Sequence, residues 1–289
     1  MPTTLFDGSS PFILDHRGKP QSEVHIEHNS TTIHIPRDSY GVFGSIASTL
    51  PLFLNTPNPS TLDFIVLDPP WPNRSARRKG IYNTPRDLES VSDLLFSLPL
   101  SKKFSHGEVA VLAENGYVVV WITNKKSFKD MVIGEGGLFE HWGVQHLEEW
   151  AWLKVTRHGE PMSKIDGVWR KPYEIAVVGQ KMTTSAHSQD STPVVVRRVL
   201  VGVPDAHSRK PNLGEVLEAV HGRGTGKRVG LEIFARNMTA GAWGWGDQVL
   251  EYQDVECWEE REEEVEMQPG VETVEEGCGE RVESGGNDT

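Results

Sequence analysis

Cysteine is nearly absent from this 289-residue sequence, which contains only Cys257 and Cys278. Two cysteines near the C-terminal end cannot build a disulfide framework or a cysteine-based zinc site, and their scarcity suits a reducing compartment. Long apolar runs are also absent: no stretch of about 18 apolar residues occurs, so the sequence predicts no membrane-spanning helix. The first twenty residues contain no basic segment followed by an apolar one, and we expect no secretory signal.

Excess charge is confined to the C-terminal part of the chain. The formal net charge is −12, from 41 acidic and 29 basic residues. At or beyond Glu251 lie 15 of the acidic but only 2 of the basic residues, which leaves 26 acidic and 27 basic residues in the body of the chain. An acidic chain therefore does not exclude a nucleic-acid substrate, for which a local basic patch matters more.

Composition divides the chain into three parts. Residues 1–40 form an N-terminal extension in which the alternating runs SEVHIEHN and TTIHIPR predict a small β-hairpin. The histidines of these runs are interpreted as surface residues, so no metal site is predicted. Residues 41–257 form the main domain and include a polar, Ser/Thr-rich surface loop at 181–193. Residues 258–289 are acidic and poor in apolar side chains, which predicts a disordered tail.

The main domain alternates strand-like apolar runs with amphipathic helical stretches. Predicted strands cover 63–68, 116–123, 148–156, 173–180, 194–202 and 230–235, and predicted helices cover 87–98, 124–142 and 212–222. Nearly continuous apolar strands between helices are typical of a largely parallel sheet that is buried on both faces. The sequence therefore predicts an α/β fold with one sheet covered by helices.

The tetrapeptide Asp-Pro-Pro-Trp at 68–71 directly follows the first of these strands. Ligands of open α/β sheets bind beyond the carboxyl ends of the strands, so this corner is expected to lie in the functional crevice. Pro69 and Pro70 fix the backbone and remove two N–H donors, which leaves Asp68 and the Pro69 carbonyl as acceptors. Such acceptors suit the two protons of an aromatic amine such as adenine N6, and Trp71 offers a flat face for stacking on the base. The alternative is a surface turn with a packed tryptophan.

A basic run follows this corner. The candidate substrate-binding residues of this run are Asn73, Arg74, Arg77, Arg78, Lys79 and, shortly after it, Tyr82. Cations beside a target base suit phosphate contacts in a nucleic acid, whereas the alternative is a solvated loop. A single short basic run favours an unpaired or flipped adenine over an intact duplex.

Together these features resemble the MT-A-seventy family of adenine-N6 methyltransferases, whose hallmark is Asp-Pro-Pro-Trp at a strand end. The runs YVVVWITN, LEEWAWLKVT, HSRKPNLGEVLE and LEIFARNMTAGAWGWGDQVLEY resemble further family blocks in order, over roughly residues 41–252. PPWPNRSARR and IFARN with GWGDQV are most similar to the branch named methyltransferase-like protein four. The resemblance implies a Rossmann-like fold in permuted motif order, S-adenosylmethionine (SAM) as methyl donor, and a nuclear or cytoplasmic location, of which the resemblance favours the nucleus.

The resemblance also implies roles for individual residues. Asp68 would serve both the amine and the cofactor, while Pro69, Pro70 and Trp71 would shape the pocket. Ser45 and Ile46 would meet the cofactor's adenine through the main chain, with Ser45 standing where many relatives have aspartate. The remaining implied cofactor residues are Lys210 beside the methionine carboxylate, and Arg236, Asn237, Asp247 and Gln248 near the ribose.

The methyl acceptor stays open at this point. The resemblance implies an adenosine in RNA, with 2′-O-methyladenosine of a small nuclear RNA as one candidate, or else adenine in DNA; we favour RNA. A different class of function is a catalytically inactive partner that binds nucleic acid or another methyltransferase. A further alternative is transfer to cytosine N4. The intact Asp-Pro-Pro-Trp disfavours the inactive partner, and the overall pattern disfavours cytosine.

Overall fold

The computed structural model describes residues 11–26, 31–56, 62–72, 88–100, 111–167, 171–182, 194–206, 209–222 and 228–257. The strands are β1 (Phe12–Asp15), β2 (Ser22–Ile26), β3 (Thr31–Ile35), β4 (Tyr40–Phe43), β5 (Leu62–Leu67), β6 (Leu112–Ile122), β7 (Val144–Lys154), β8 (Tyr173–Lys181), β9 (Val196–Gly202), β10 (Gly230–Ile233) and β11 (Trp243–Gly246). The helices are α1 (Ile46–Leu54), α2 (Leu88–Ser97), α3 (Lys126–Ile133), α4 (Leu138–His141) and α5 (Leu213–His221), and a 3₁₀ turn covers Val255–Cys257.

A nine-stranded mixed sheet organises these elements in the order β1-β4-β11-β10-β5-β6-β8-β7-β9. Strands β4, β11, β10, β5 and β6 are mutually parallel, β1 and β8 run antiparallel to their neighbours, and β7 and β9 point in the direction of β5. The predicted fold, a largely parallel sheet flanked by helices, is confirmed. The ends of β4, β5, β6, β7, β10 and β11 lie along one border of the sheet, which we call the carboxyl edge.

Strand β5 is apolar at nearly every position because both of its faces are covered. Ile65 and Leu67 pack into the larger hydrophobic cluster, which includes residues of α1 and α2. Phe64 and Val66 point to the opposite face and pack into a second cluster that includes residues of α5. Burial on both faces removes the usual alternation of polar and apolar side chains. Asp68, which directly follows this strand, is thus placed at the carboxyl edge by a rigid central element.

The N-terminal residues contribute more to the sheet than the sequence indicates. Strands β2 and β3 pair antiparallel at the positions of the two alternating runs. Strand β1 was not predicted; it pairs antiparallel with β4 and extends the nine-stranded sheet. The sequences of β4 and β11, YGVF and WGWG, were also not predicted as strands. Each is only four residues long and contains glycine, which has a low strand propensity.

Two further predictions need correction. The stretch 124–142 forms two helices, α3 and α4, because the glycine-rich turn between them places Gly136 at a φ of 67°. The run 194–202 forms β9, which ends the sheet and leaves Val199 and Val201 each 65% exposed. The sheet is therefore not covered on both faces at this edge. A continuous apolar run does not by itself distinguish a central strand from an edge strand.

Some predictions fall outside the residues that the structure describes. The polar loop at 181–193 is described only at residues 181 and 182, and the acidic tail at 258–289 is not described. Within the described ranges, no helix is long and apolar enough to cross a membrane. The same ranges contain no group of three or more His, Cys, Asp or Glu side chains placed to hold a metal ion.

Candidate active site at the carboxyl edge

The Asp-Pro-Pro-Trp corner leaves the sheet at the end of β5. The Asp68 N–H donates to the Ile233 carbonyl at 3.4 Å, which keeps the corner beside the end of β10. The Trp71 N–H donates to the Pro69 carbonyl at 2.7 Å and closes a tight turn. A carbonyl oxygen has two lone pairs, so Pro69 retains an acceptor site for a ligand.

Trp71 is a buried anchor of this corner. Its Nε1–H donates to the Trp121 carbonyl at 2.7 Å, and its ring stacks on Phe128 of α3 with centroids 4.7 Å apart. Only 7% of the residue is exposed. The predicted stacking of a base on the Trp71 face thus differs from the arrangement seen, in which Phe128 covers one face of the ring. The contacts instead fit the second predicted role, shaping the pocket by fixing the corner against β6 and α3.

Asp68 is the first of four side chains of alternating charge that contact one another in sequence. Lys210 Nζ lies 2.9 Å from Asp68 Oδ2 and 3.0 Å from Glu174 Oε2. Lys154 Nζ in turn pairs with Glu174 Oε1. Asp68 and Lys210 are mostly buried, with side-chain exposures of 18% and 11%. We call this group the charge chain, defined as Asp68, Lys210, Glu174 and Lys154.

Opposite charges keep the charge chain ionised. Burial alone would lower the pKa of Lys210, but the carboxylates of Asp68 and Glu174 outweigh it, so the pKa is raised. Burial likewise would raise the pKa of Glu174, but Lys210 and Lys154 outweigh it, and the pKa is lowered. Each charge is therefore stabilised by its neighbours rather than by water. Asp68 is therefore held at the corner by a connected set of ion pairs.

The ends of β4 and β11 carry four predicted cofactor residues, namely Ser45, Ile46, Asp247 and Gln248. The Gly44 N–H donates to the Gly246 carbonyl at 3.1 Å, which sets the first pair beside the second. Ser45 caps helix α1, and Ile46 is 4% exposed, so its side chain belongs to the core. Asp247 is exposed and Gln248 is half-buried. Ser45 and Asp247 are thus the exposed members of this set, and the Ser45 carbonyl already accepts a hydrogen bond from the Thr49 N–H within α1.

A sharp change of direction places Arg236 and Asn237. Phe234, which follows β10, has a φ of 65°, a left-handed conformation that is unusual for a bulky residue. The Asn237 side-chain amide donates to the Met238 carbonyl at 3.2 Å, so its orientation is fixed. The turn carries both predicted cofactor residues from the end of β10 along the carboxyl edge.

Glycine in β11 allows this turn to pack closely. A Cβ atom added to Gly246 would lie 3.2 Å from both the N and the O of Ala235. The Ala235 N–H donates to the Trp245 carbonyl at 3.1 Å, which locks the turn onto β11. The alternation WGWG thus has a structural reason: the two tryptophans are buried on one face of β11, and on the other face the glycines leave room for the backbone of the turn that follows β10.

A cleft of about 430 Å³, its open mouth included, lies beside Lys210. It is lined by polar groups of Lys210, Glu232 and Asn237, and its floor is apolar. Burial, and next the negative charge of Asp68, raise the pKa of Glu232 to about 7. The cleft therefore combines a fixed cation with a carboxylate that is poised between its two protonation states near neutral pH.

Comparison with known proteins identifies the family. The profile of the family described as MT-A70 matches residues 62–248, a range that starts at β5 and ends just after β11. The chain belongs to the MT-A70 family. The match contains the Asp-Pro-Pro-Trp corner, the charge chain and the turn after β10. The predicted family membership is thus confirmed.

Several characterised relatives share this domain. N6-methyladenosine RNA methyltransferase MTA1 of Cryphonectria parasitica is 42% identical over 227 residues, which cover 78% of this chain and 62% of the relative. The protein of the same name from Pyricularia oryzae is 40% identical over 228 residues, covering 78% of this chain and 56% of the relative. Human N(6)-adenine-specific methyltransferase METTL4 is 33% identical over 202 residues, covering 68% of this chain and 39% of the relative. The chain thus spans less than two thirds of the length of each.

The predicted substrate-binding residues of this MT-A70 chain are not part of the described structure. They are Asn73, Arg74, Arg77, Arg78, Lys79 and Tyr82. Pro72 is the last described residue before them, and its carbonyl accepts a hydrogen bond from Lys125 Nζ at 3.4 Å. The last described residue before the basic run thus already has a cation, Lys125, beside its carbonyl.

Sequence reasoning missed three ionisable residues of the site, Lys154, Glu174 and Glu232. A signal existed for Glu232, which interrupts the otherwise apolar β10, whereas Glu174 lies near the start of β8, a strand that also ends in polar residues. Their partners could not be inferred, since Asp68 and Lys210 are 142 positions apart. The MT-A70 match covers all three.

Proposed function

We propose that this chain transfers the methyl group of SAM to the N6 amine of adenine in a nucleic acid, with RNA favoured. The observation that supports this most directly is the Asp68–Pro69 corner, which leaves a central strand at the carboxyl edge and is held by Trp71 and Lys210. Membership of the MT-A70 family supports adenine N6 as the reacting group. The two relatives named RNA methyltransferases support the choice of RNA.

The corner suits an aromatic amine. The adenine N6 group has two protons and a lone pair delocalised into the ring, and it needs acceptors rather than a strong base. Asp68 accepts one hydrogen bond from Lys210, but a carboxylate has about four acceptor sites, so it can also accept a hydrogen bond from an N6 proton. The Pro69 carbonyl can take the other. Holding both protons aligns the lone pair with the methyl carbon, and such positioning can supply a large part of the rate.

The residues present fit SAM. When bound, SAM supplies a sulfonium methyl group, and transfer forms the N–C bond as the C–S bond breaks with its electron pair on sulfur. Lys210 has three N–H donors, of which Asp68 and Glu174 take two, leaving one for an amino-acid carboxylate. The groups proposed to hold the nucleoside end are Ser45, Ile46, Arg236, Asn237, Asp247 and Gln248. The methylated amine then releases one proton, for which Asp68 is the nearest acceptor in this proposal.

The basic run that follows the corner supports a nucleic-acid acceptor. We assign phosphate contacts to Arg74, Arg77, Arg78 and Lys79, and contacts with the target nucleoside to Asn73 and Tyr82. A base must leave its stack to reach an amine pocket, which favours single-stranded or mismatched substrates. A 2′-O-methylated adenosine in a small nuclear RNA is the finer form of this proposal.

The test uses the purified chain with radiolabelled SAM and matched single-stranded RNA, 2′-O-methylated RNA, single-stranded DNA and duplex DNA, followed by nucleoside mass analysis. We expect N6-methyladenine on RNA. Asp68→Asn should lower transfer by about 10²-fold or more, since it weakens one acceptor and removes the charge paired with Lys210. Asp93→Asn, at an exposed position of α2, is the matched control.

The other products distinguish the remaining hypotheses. Methylation confined to DNA would support adenine-N6 methyl transfer but show that the acceptor is DNA rather than RNA. N4-methylcytosine would refute the assignment of the amine. SAM binding without transfer on any substrate would favour an inactive nucleic-acid-binding partner, and full activity of Asp68→Asn would refute the mechanism.

A further inference from the structure

Glu232 occupies a position where a purely structural carboxylate would be unfavourable. It lies in β10, opposite Val66 of β5 on one side and Gly244 of β11 on the other. These neighbours contribute no polar side chain. No hydrogen bond or ion pair joins its carboxylate to another residue within the described part of the chain. A half-buried carboxylate without a protein partner adds little to the stability of the sheet, and an apolar side chain would serve packing better.

The side chain opens into the cleft beside Lys210. Glu232 is half-buried, and it lines this cleft together with Asn237 and Thr239. Alternation along the strands places it on the same face of the sheet as Val66 and, two residues further along β5, Asp68. The unused carboxylate is therefore directed at a cleft that shares Lys210 and Asn237 with the candidate active site, which indicates a ligand group as its partner.

Every charged group that acts on Glu232 belongs to this site. Asp68 after β5 opposes its ionisation, whereas Lys210 and Arg209 before α5, and Arg236 after β10, favour it. Burial is the largest influence, and the pKa is raised to about 7. A pKa near 7 allows the Glu232 carboxylate to change its protonation state in response to a charged ligand at neutral pH. A ligand that brings positive charge shifts the group to its ionised form, and a ligand without that charge does so less.

We propose that Glu232 is a specificity residue that distinguishes the cationic sulfonium donor from its uncharged thioether product. This inference rests on the proposed function, because it takes the ligand of the cleft to be SAM. The donor and S-adenosylhomocysteine (SAH) share an amino-acid ammonium and carboxylate, and they differ by the methyl group and one positive charge on sulfur. Loss of that charge during transfer weakens the attraction of the Glu232 carboxylate for the ligand. The product is then released more readily than the donor.

The test is the pH dependence of binding, measured by calorimetry on the whole chain without nucleic acid. If Glu232 titrates near 7 in the empty cleft and stays ionised with SAM bound, SAM binds about eightfold more tightly at pH 7.5 than at pH 6.0. Affinity for SAH should change by about twofold or less. Proton release on SAM binding, obtained by repeating the titration in buffers of different ionisation enthalpy, should be about half a proton at pH 7.0.

Glu232→Gln is the central variant because glutamine resembles the protonated acid. It should bind SAM more weakly than the parent chain at both pH values and should show no gain in affinity between pH 6.0 and pH 7.5. The ligand's own ammonium, with an ordinary pKa of about 7.7–8.0, titrates equally in both proteins and cancels in this comparison. Glu215→Gln, at an exposed position of α5, removes the same charge outside the cleft and should behave as the parent chain.

The outcomes separate the two proposals. An equal pH dependence for SAM and SAH, or its persistence in Glu232→Gln, would overturn the role of Glu232. Absence of binding for both ligands in the parent chain would instead overturn the proposed cofactor. Thermal unfolding of Glu232→Gln at pH 6.0 checks its fold, and the Glu232→Asp variant, which keeps the charge, should retain the pH dependence if glutamine does not fold.

Discussion

Replacing Lys210 by methionine tests whether the charge chain is a single energetic unit. The substitution keeps the apolar stem of the side chain but removes the cation between Asp68 and Glu174. Exposed ion pairs contribute about 0.2–1 kcal/mol, whereas removing one partner of a buried pair costs about 3–5 kcal/mol. With side-chain exposures of 11% for Lys210 and 18% for Asp68, the pair lies between these limits but closer to the buried one. We expect Lys210→Met to lower the free energy of unfolding by about 2–3 kcal/mol.

The sign of the pH dependence follows from the directions of the pKa shifts. The lowered pKa of Glu174 means that its contribution to stability is present above the ordinary value of 4.5 and is lost as the pH falls through the lowered value. The raised pKa of Lys210 means that its contribution is present below 10.5 and is lost as the pH rises through the raised value. Between these limits the parent chain keeps the full contribution. Without Lys210, the carboxylates take up protons at higher pH, so the loss caused by the variant should be smaller at pH 5.0 than at pH 7.5.

Urea unfolding at both pH values measures this difference. Lys126→Met is the matched control, because Lys126 pairs with Asp130 on the surface of α3 with side-chain exposures of 86% and 54%. Its expected effect is below about 0.5 kcal/mol at either pH. The reasoning is refuted if the two variants lose equal stability, or if the loss in Lys210→Met is as large at pH 5.0 as at pH 7.5.

Two further predictions concern the corner and the substrate. Trp71→Phe should lower the free energy of unfolding by about 1–2 kcal/mol and also reduce methyl transfer, because the buried Trp121 carbonyl loses its hydrogen-bond donor and the corner is held less firmly. A denaturation curve and a single-turnover assay check these two effects. An unchanged denaturation curve would show that the hydrogen bond is dispensable. Arg77→Ala combined with Arg78→Ala should weaken binding of single-stranded RNA and reduce the slope of log affinity against log salt by about 1.4; an unchanged slope would remove both arginines from the phosphate contacts.

The sequence was sufficient to predict the fold class and the place of the corner. Strand β5 is apolar on both faces, and the tetrapeptide at its end contains two prolines that stop the strand, so both signals are local. Local signals were weaker at β9, a run rich in valine but interrupted by Arg197 and Arg198, which lies at an exposed edge of the sheet. The length of a run and its composition do not show how many neighbours a strand has.

The interactions within the site depend on contacts between distant segments. Glu174 is the second residue of β8, whereas Lys210 precedes α5, and only the order of the strands brings them together. The same applies to Glu232, whose position in a strand was predictable but whose raised pKa depends on Asp68 and on enclosure by the folded chain. A sequence pattern can therefore indicate an ionisable residue of interest without indicating its charge state.

Trp121 links the two sides of the corner, although no sequence motif singles it out. Its carbonyl accepts the hydrogen bond from Trp71, and Lys210 Nζ lies 5.6 Å from the centroid of its ring. The residue is 1% exposed in β6, so neither contact can shift without disturbing the sheet. Asp68 is thus positioned from both directions, through the turn that ends at Trp71 and through its ion pair with Lys210. Because both supports meet at one buried residue, the acceptor geometry at Asp68 is fixed before any ligand arrives, as preorganised electrostatic stabilisation requires.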